Sequence, residues 1–172
     1  MDAEAIERHT ISVLVDNEAG VLARVIGLFS GRGYNIESLT VAEVDAAHTV
    51  SRITLVTSGT PMTIEQIKAQ LERLVPVHQV DDLTVGGPSV ERELALVKVA
   101  ETGEKRVEAL RIADIFRARV VDATNDSFVF EMTGGTNKLD AFIKLMTPLG
   151  LVEISRTGVV AISRGADAPP TE

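Results

Sequence analysis

Hydrophobic residues near the start of the chain change from a period of two to a helical period. Residues 10–15 alternate between apolar and polar side chains, which predicts a half-buried strand. Residues 16–20 follow as a turn that contains Asn17 and Gly20, two residue types that tolerate unusual backbone angles. The next apolar residues have the spacing of one helix face: Val21, Leu22, Val25, Ile26, Leu28 and Phe29.

The same two periods predict the rest of a small unit. Gly33 stands where a helix would end in a left-handed residue. Residues 35–45 and 49–58 alternate again and predict two strands joined by a hairpin turn. A second helical spacing begins after Pro61, and residues 77–85 predict a fourth strand. The predicted order is βαββαβ.

The pattern recurs after a Gly-Gly-Pro-Ser segment at residues 86–89, whose composition is typical of a linker. Strand and helix patterns alternate as before at residues 93–100, 103–116, 119–123, 127–133, 138–146 and 151–163. We expect a kink at Gly158 within the last of these strands. The fold class is therefore predicted as α+β, with two consecutive ferredoxin-like units that each pack helices on one face of an antiparallel sheet. The predicted domains are residues 8–86 and 90–164, followed by a disordered tail at 165–172.

The second predicted strand lies at a sheet edge in this topology. Residues 35–45 contain neither Pro nor Lys, which commonly prevent pairing between edges. We expect a symmetric homodimer that joins two such edges into one sheet. Such a dimer would bring Asn35 of one protomer near the turn at residues 16–20 of its partner.

The composition excludes several classes of protein. The 172 residues carry a net charge of −8 and only 3% aromatic side chains, which argues against nucleic-acid binding because that function needs a basic face. There is no Cys, so neither a disulfide nor a thiolate metal site can form. No apolar run approaches the ~20 residues of a membrane span, and residues 1–9 lack the apolar core of a secretory signal. We expect a cytoplasmic protein.

Catalytic motifs are also missing from the sequence. None of His9, His48 and His78 stands at a motif spacing from Ser or a carboxylate, and we interpret them as surface or edge residues. Residues 134–136, Gly-Gly-Thr, could cradle an anion before a helix, but a plain strand-to-helix turn is the favoured interpretation. We therefore expect no catalytic residue and no metal site on this chain.

The turn at residues 16–20 has chemistry that suits an amino acid. It places the partly positive N-terminus of a helix just after a strand, where a free carboxylate binds well. Asn17 offers both a carbonyl oxygen and an amide donor, and Val21 and Leu22 could line a pocket for an aliphatic side chain. The alternative is a capped turn without a ligand, and the pattern alone favours that alternative.

Four stretches of the chain carry a family resemblance. Residues 16–41, DNEAGVLARVIGLFSGRGYNIESLTV, resemble the small regulatory subunit of acetolactate synthase, also called acetohydroxyacid synthase. SRITLV at 51–56, VERELALVKV at 90–99 and SRTGVVAISRG at 155–165 extend the resemblance over nearly the whole chain. In that family the first unit is an ACT domain, an amino-acid sensor that dimerises edge to edge.

The resemblance implies a regulatory role. The small subunit of the family is not catalytic; it joins a large subunit that uses thiamine diphosphate, Mg²⁺ and FAD to condense two pyruvates, or pyruvate with 2-oxobutyrate. It raises that activity and confers feedback inhibition by branched-chain amino acids, usually valine. The other interpretations are a free-standing ACT-type sensor that regulates another enzyme, and a small enzyme on the same scaffold.

The resemblance also implies an effector site shared between two protomers. Ala19 and Ala23 stand where members of the family often have Ser. The matching positions are Asn17, Ala19, Gly20, Val21 and Leu22 of one protomer, with Asn35 and Ile36 contributed by the partner protomer.

Overall fold

Nine strands and four helices make up residues 5–166, the part of the chain that the computed structural model describes. The first six elements are β1 (Glu7–Asp16), α1 (Val21–Arg32), β2 (Ser38–Glu43), β3 (Val50–Gly59), α2 (Pro61–Glu72) and β4 (Val77–Asp82). The others are β5 (Ser89–Ala100), α3 (Gly103–Ile115), β6 (Arg119–Ala123), β7 (Ser127–Gly134), α4 (Thr136–Met146), β8 (Leu151–Arg156) and β9 (Val160–Ser163). Most of the predicted tail, residues 167–172, lies outside the described residues. No helix in residues 5–166 is long and apolar enough to cross a membrane.

The first sheet has the antiparallel order β2-β3-β1-β4. Alternate residues of β1 and β3 face the helices, because successive side chains of a strand point to opposite faces. They form one buried core with the inward stripes of α1 and α2: Ile11, Val13, Val15, Ile53, Leu55, Val21, Val25, Phe29, Ile64, Ile67 and Leu71. The predicted α+β class and the first βαββαβ unit are confirmed.

The edge position predicted for the second strand is confirmed, but β2 is shorter than residues 35–45. It ends at Glu43 because the chain then closes a hairpin turn around the Asp45 carboxylate, which accepts hydrogen bonds from the backbone N–H groups of Thr49 and Val50, both 2.9 Å long. Hydrogen bonds, first that of the Thr49 hydroxyl and then that of Val50, lower the pKa of Asp45. The free edge is therefore six residues long.

The second sheet has the order β6-β7-β5-β8, with β9 also paired to β5. Its helix-facing core combines aliphatic side chains with the buried Phe128, Phe130 and Phe142, and Phe130 and Phe142 meet edge to face with ring centroids 6.1 Å apart. Arg156 connects three elements of this unit, because its guanidinium lies 2.7 Å from Glu93 of β5 and 2.7 Å from Asp140 of α4. The second predicted βαββαβ unit is confirmed.

The last strand differs from its prediction. Residues 151–163 form two strands instead of one, because the chain turns at Gly158, whose φ of 87° favours glycine. Val159 and Ala161 then pack on Val56 and Leu83, in a second small core of the first unit. The chain thus passes from the first compact unit to the second after Val90 and returns after Gly158. The domain bounds 8–86 and 90–164 stay a prediction.

Beside these cores lies a buried ionic cluster that corrects the interpretation of His9 as a surface or edge residue. His9 is 5% exposed, and its two ring nitrogens lie 2.8 Å from the Asp82 carboxylate and 3.0 Å from that of Glu7. Lys68 reaches the same Asp82 carboxylate at 3.3 Å. Burial lowers the pKa of His9, but the hydrogen bonds and charges of Glu7 and Asp82 outweigh it and hold the pKa above its ordinary value.

This raised pKa predicts a pH-dependent stability. The stabilisation from protonated His9 is fully present below its ordinary pKa of about 6.5 and is lost as pH rises through the folded-state pKa. We expect the replacement His9→Gln to lower the free energy of unfolding more at pH ~6 than at pH ~9. Urea denaturation at both pH values measures this difference, and an equal loss at both would contradict it.

A second prediction concerns Gly150, which ends the short 3-10 helix Thr147–Leu149 that follows α4 and has a φ of 90°. A Cβ at this position would clash with the Glu101 side chain and lie 2.7 Å from the carbonyl oxygen of Ala100. Gly150→Ala is expected to destabilise the chain by about 3 kcal/mol or more, from backbone strain and overpacking together. Gly87 has a φ of 111° and no neighbour within 4 Å, so Gly87→Ala is the control for strain alone. Equal thermal destabilisation by the two variants would refute the steric explanation.

Candidate effector site at the N-terminus of the first helix

A tight turn connects β1 to α1. Its backbone is fixed by hydrogen bonds from Asn17 N–H to the Thr49 carbonyl (2.8 Å) and from Glu18 N–H to the Asp16 carbonyl (2.9 Å). Gly20 is the N-cap and has a left-handed conformation with φ 86°. No side chain caps the helix, and its first turn contains no acidic residue. Apart from Val21 N–H, which donates to the Glu18 carbonyl at 3.4 Å, the N–H groups of that turn are left for solvent or for a ligand.

The Asn17 side chain does not cap the helix, so the capped-turn interpretation is wrong for this residue. Its amide nitrogen donates to the carbonyl of His48 (2.8 Å) and to the Glu43 carboxylate (3.0 Å). Its amide oxygen accepts from the Ser51 hydroxyl at 3.1 Å. Asn17 thus ties the turn to the β2–β3 hairpin. Both amide hydrogens are used, and one acceptor position on the oxygen is left for a ligand ammonium.

Carboxylates lie beside this turn and belong to different elements. Asp16 ends β1 and pairs with His78 at 2.5 Å, while Glu43 ends β2 and pairs with His48. Both pairs are exposed to solvent. A negative region next to an uncapped helix N-terminus complements the two charges of a zwitterion, because the ammonium is attracted to the carboxylates and the carboxylate to the helix dipole.

The predicted site residues of the turn and of the start of α1 divide into two groups by exposure. Asn17, Ala19 and Gly20 are exposed, and Leu22 is 37% exposed. Val21 is only 4% exposed and belongs to the first core, so it supports the turn from below. An added Cβ on Gly20 would meet nothing within 4 Å, which leaves open space above the backbone at this position.

Asn35 and Ile36 lie at the opposite end of α1. The helix has 12 residues, about 18 Å at the usual rise, so one protomer does not bring these two residues to the turn. The Asn35 carbonyl accepts from the Thr57 hydroxyl at 2.6 Å. Within residues 5–166 its side chain makes no hydrogen bond, whereas Ile36 packs partly buried against the first core. The composite site formed by two protomers stays a prediction.

Sequence reasoning missed three residues around Asn17. Glu43, His48 and Ser51 stand 26, 31 and 34 positions further along the chain, and no local motif connects them to Asn17. Only the strand register, in which Asp16 pairs with Val50, could have indicated their proximity. The Gly134–Gly135 pair is the expected strand-to-helix turn, since β7 ends at Gly134 and α4 follows Gly135.

Each of the two units matches the model of a known protein family. Residues 11–79 match a family model described as the AHAS small subunit-like ACT domain. Residues 92–165 match a model described as the small subunit of acetolactate synthase. Together the two models account for most of the chain.

Individual relatives match over almost their whole length. A probable acetolactate synthase small subunit from Archaeoglobus fulgidus is 49% identical over 92% of this chain and 98% of the relative. The acetolactate synthase isozyme 3 small subunit of Salmonella typhimurium is 47% identical over 92% and 96%. The crystal structure of the acetolactate synthase small subunit from Thermotoga maritima matches with a TM-score of 0.84 and 38% identity, covering 94% of this chain and 99% of that one. This chain belongs to the family of acetolactate synthase small subunits, and its first unit is an ACT domain.

Proposed function

We propose that this chain activates the catalytic subunit of acetolactate synthase and makes it sensitive to feedback inhibition by a branched-chain amino acid, valine first. The observation that carries the proposal is the turn before α1. There an uncapped helix N-terminus lies beside Asn17 and two carboxylates, so both charges of a free amino acid find a complement. The exposed Leu22 supplies an aliphatic contact next to them.

The catalytic partner is proposed to carry the chemistry. Thiamine diphosphate, Mg²⁺ and FAD are placed on the large subunit, and this chain is proposed to supply no catalytic residue and to work in the cytoplasm. Membership in the small-subunit family supports a large-subunit partner. The small subunit then acts only through contacts that it makes with that partner and with the effector.

The free edge of the first sheet supports a homodimer. β2 is paired on one side only within the described residues. Exposed apolar side chains occur on that strand and on the helix before it: Val41 of β2 is 43% exposed, and Leu22 and Ile26 of α1 are each 37% exposed. Pairing two β2 strands about a twofold axis would cover these side chains. It would also carry Asn35 of one protomer toward the turn of its partner, which completes the proposed site.

Inhibition is proposed to work as a coupling free energy between two arrangements of this dimer. Valine stabilises the arrangement that supports the catalytic subunit less well. A coupling of about 1–3 kcal/mol, typical of allosteric proteins, gives a 5- to 150-fold effect. A ligand that bound both arrangements equally tightly would not shift the equilibrium between them.

The effector site is tested with Asn35→Ala and Gly20→Asp. Asn35→Ala removes an exposed side chain that makes no hydrogen bond within residues 5–166. A lost response therefore cannot come from a broken internal hydrogen bond. Gly20→Asp places a carboxylate where the effector carboxylate is expected, and Gly20→Ala, which strains the same left-handed backbone without adding charge, is its control. Asn35→Ala and Gly20→Asp should each raise the valine concentration for half-inhibition of the reconstituted enzyme about tenfold or more, with activation largely unchanged.

Asn17→Ala needs its own control because Asn17 also stabilises the hairpin. Ser51→Ala removes one of its hydrogen bonds and leaves the Asn17 amide in place. We expect Asn17→Ala to abolish valine inhibition and Ser51→Ala to keep most of it. Full valine sensitivity of Asn17→Ala and Gly20→Asp would refute the site, and a chain that does not stimulate any acetolactate synthase would refute the function.

The homodimer is tested with Val41→Lys, which places a charge on the exposed edge strand. Edge lysines oppose pairing between sheets, so the variant should shift the protein toward monomer, with dimer affinity reduced about tenfold or more. Val85→Lys is the matched control, because Val85 is 65% exposed in the same unit and lies outside β2. Sedimentation velocity measures both, and an unchanged dimer in Val41→Lys would exclude the β2 interface.

A further inference from the structure

An open groove of about 460 Å³ lies between α1 and α2 on the outer side of the first unit. It is lined by Arg24, Leu28, Arg32, Gln70, Arg73 and Leu74. The proposed effector turn and the β2 edge contribute none of these residues. The groove is therefore a separate surface of the same unit.

The three arginines of the groove are unusual for this acidic chain, whose net charge is −8. Within residues 5–166 the side chains of Arg24, Arg32 and Arg73 make neither an ion pair nor a hydrogen bond. By contrast, Arg8 pairs with Glu37, and Lys68 pairs with Glu65 and Asp82. Other arginines without an ion pair in the described residues, such as Arg117 and Arg164, lie outside the groove, but three line this one groove, and such a concentration of like charge without internal partners is suited to an anionic ligand.

The floor of the groove adds apolar and polar contacts. Leu28 and Leu74 are half-buried members of the first core and present apolar surface to the groove. The Gln70 amide oxygen is buried without a hydrogen-bond partner, a state that a bound ligand can relieve. Next to the groove, Val75 is 94% exposed, which extends the apolar surface outward.

The spacing of the cations favours an extended ligand. Arg24 and Arg32 stand eight positions apart on α1, about 12 Å along the helix axis at the usual rise, and Arg73 stands across the groove at the end of α2. Guanidinium groups distributed over two helical turns match a row of carboxylates better than a single phosphate. Apolar side chains between those carboxylates would contact Leu28 and Leu74.

We propose that this groove binds a carboxylate-rich segment of the catalytic subunit, with apolar side chains of that segment seated between the arginines. The partner in this inference rests on the proposed function, while the groove and its unpaired charges do not. Because exposed charges steer association and weaken with ionic strength, binding through the groove is expected to be salt-sensitive. Sensing at the N-terminus of α1 and docking in the groove between α1 and α2 would then be two tasks of separate surfaces.

The test compares two full-length variants of equal charge. The groove variant carries Arg24→Gln, Arg32→Gln and Arg73→Gln together. The control variant carries Arg92→Gln, Arg117→Gln and Arg164→Gln, three arginines outside the groove without an ion pair in the described residues. Affinity for the purified catalytic subunit is measured by interferometry at ~50 and ~300 mM KCl. The groove variant should bind about tenfold or more weakly at low salt, with a smaller salt dependence, and the control within about twofold of wild type.

Three other outcomes would overturn the inference or its basis. Wild-type affinity and activation in the groove variant would show that the segment docks elsewhere. If the groove variant binds the catalytic subunit normally but no longer binds inorganic pyrophosphate in calorimetry, as the wild-type chain does, the groove is a small-anion site instead. If the wild-type chain does not bind the catalytic subunit, the proposed function itself fails. Arg73→Glu alone, at the exposed end of α2, provides a second variant should the triple variant be unstable.

Discussion

The hydrogen bonds of the Asn17 side chain hold the proposed sensing region together. One amide joins the end of β1 to the His48 carbonyl in the hairpin turn, to Glu43 at the end of β2 and to Ser51 in β3. Because Glu43 ends the edge strand, a ligand that redirects the Asn17 amide acts directly on the strand proposed to join two protomers. The proposed sensing turn and the proposed dimer edge are thus connected by the hydrogen bond from Asn17 to Glu43, without a long relay through the core.

Local periodicity was enough to predict both βαββαβ units, because the alternation of β1 and the spacing of α1 reflect burial against immediate neighbours. Local periodicity cannot indicate contacts between residues that are far apart in the sequence. His9 looked like a surface residue since the carboxylate that buries it, Asp82, comes 73 positions later. The partners of Asn17 were missed for the same reason. Gly158 marks a break within residues 151–163, but no local pattern in that stretch indicates that Val159 and Ala161 pack on Val56 and Leu83.

Charge is distributed according to task in the first unit. His9, Lys68 and Asp82 are buried together and stabilise the contact of β1, α2 and β4. The carboxylates Asp16 and Glu43 stand at the surface beside the proposed effector turn. The unpaired arginines form a third region on the groove between the two helices. Under the two proposals, the ammonium of the effector and the carboxylate-rich segment of the partner would be attracted to different regions of the first unit and would not compete.

The return of β9 to the first unit affects how the protein is made. Val159 N–H donates to the Ser38 hydroxyl at 2.8 Å, across 121 positions of the chain. During translation, the sheet surface around Val56 and Leu83 therefore stays uncovered until Val159 and Ala161 have left the ribosome. Such long-range closure slows folding. The nascent chain is consequently exposed to aggregation during that interval, and a premature stop before Val159 would release it with that surface still open.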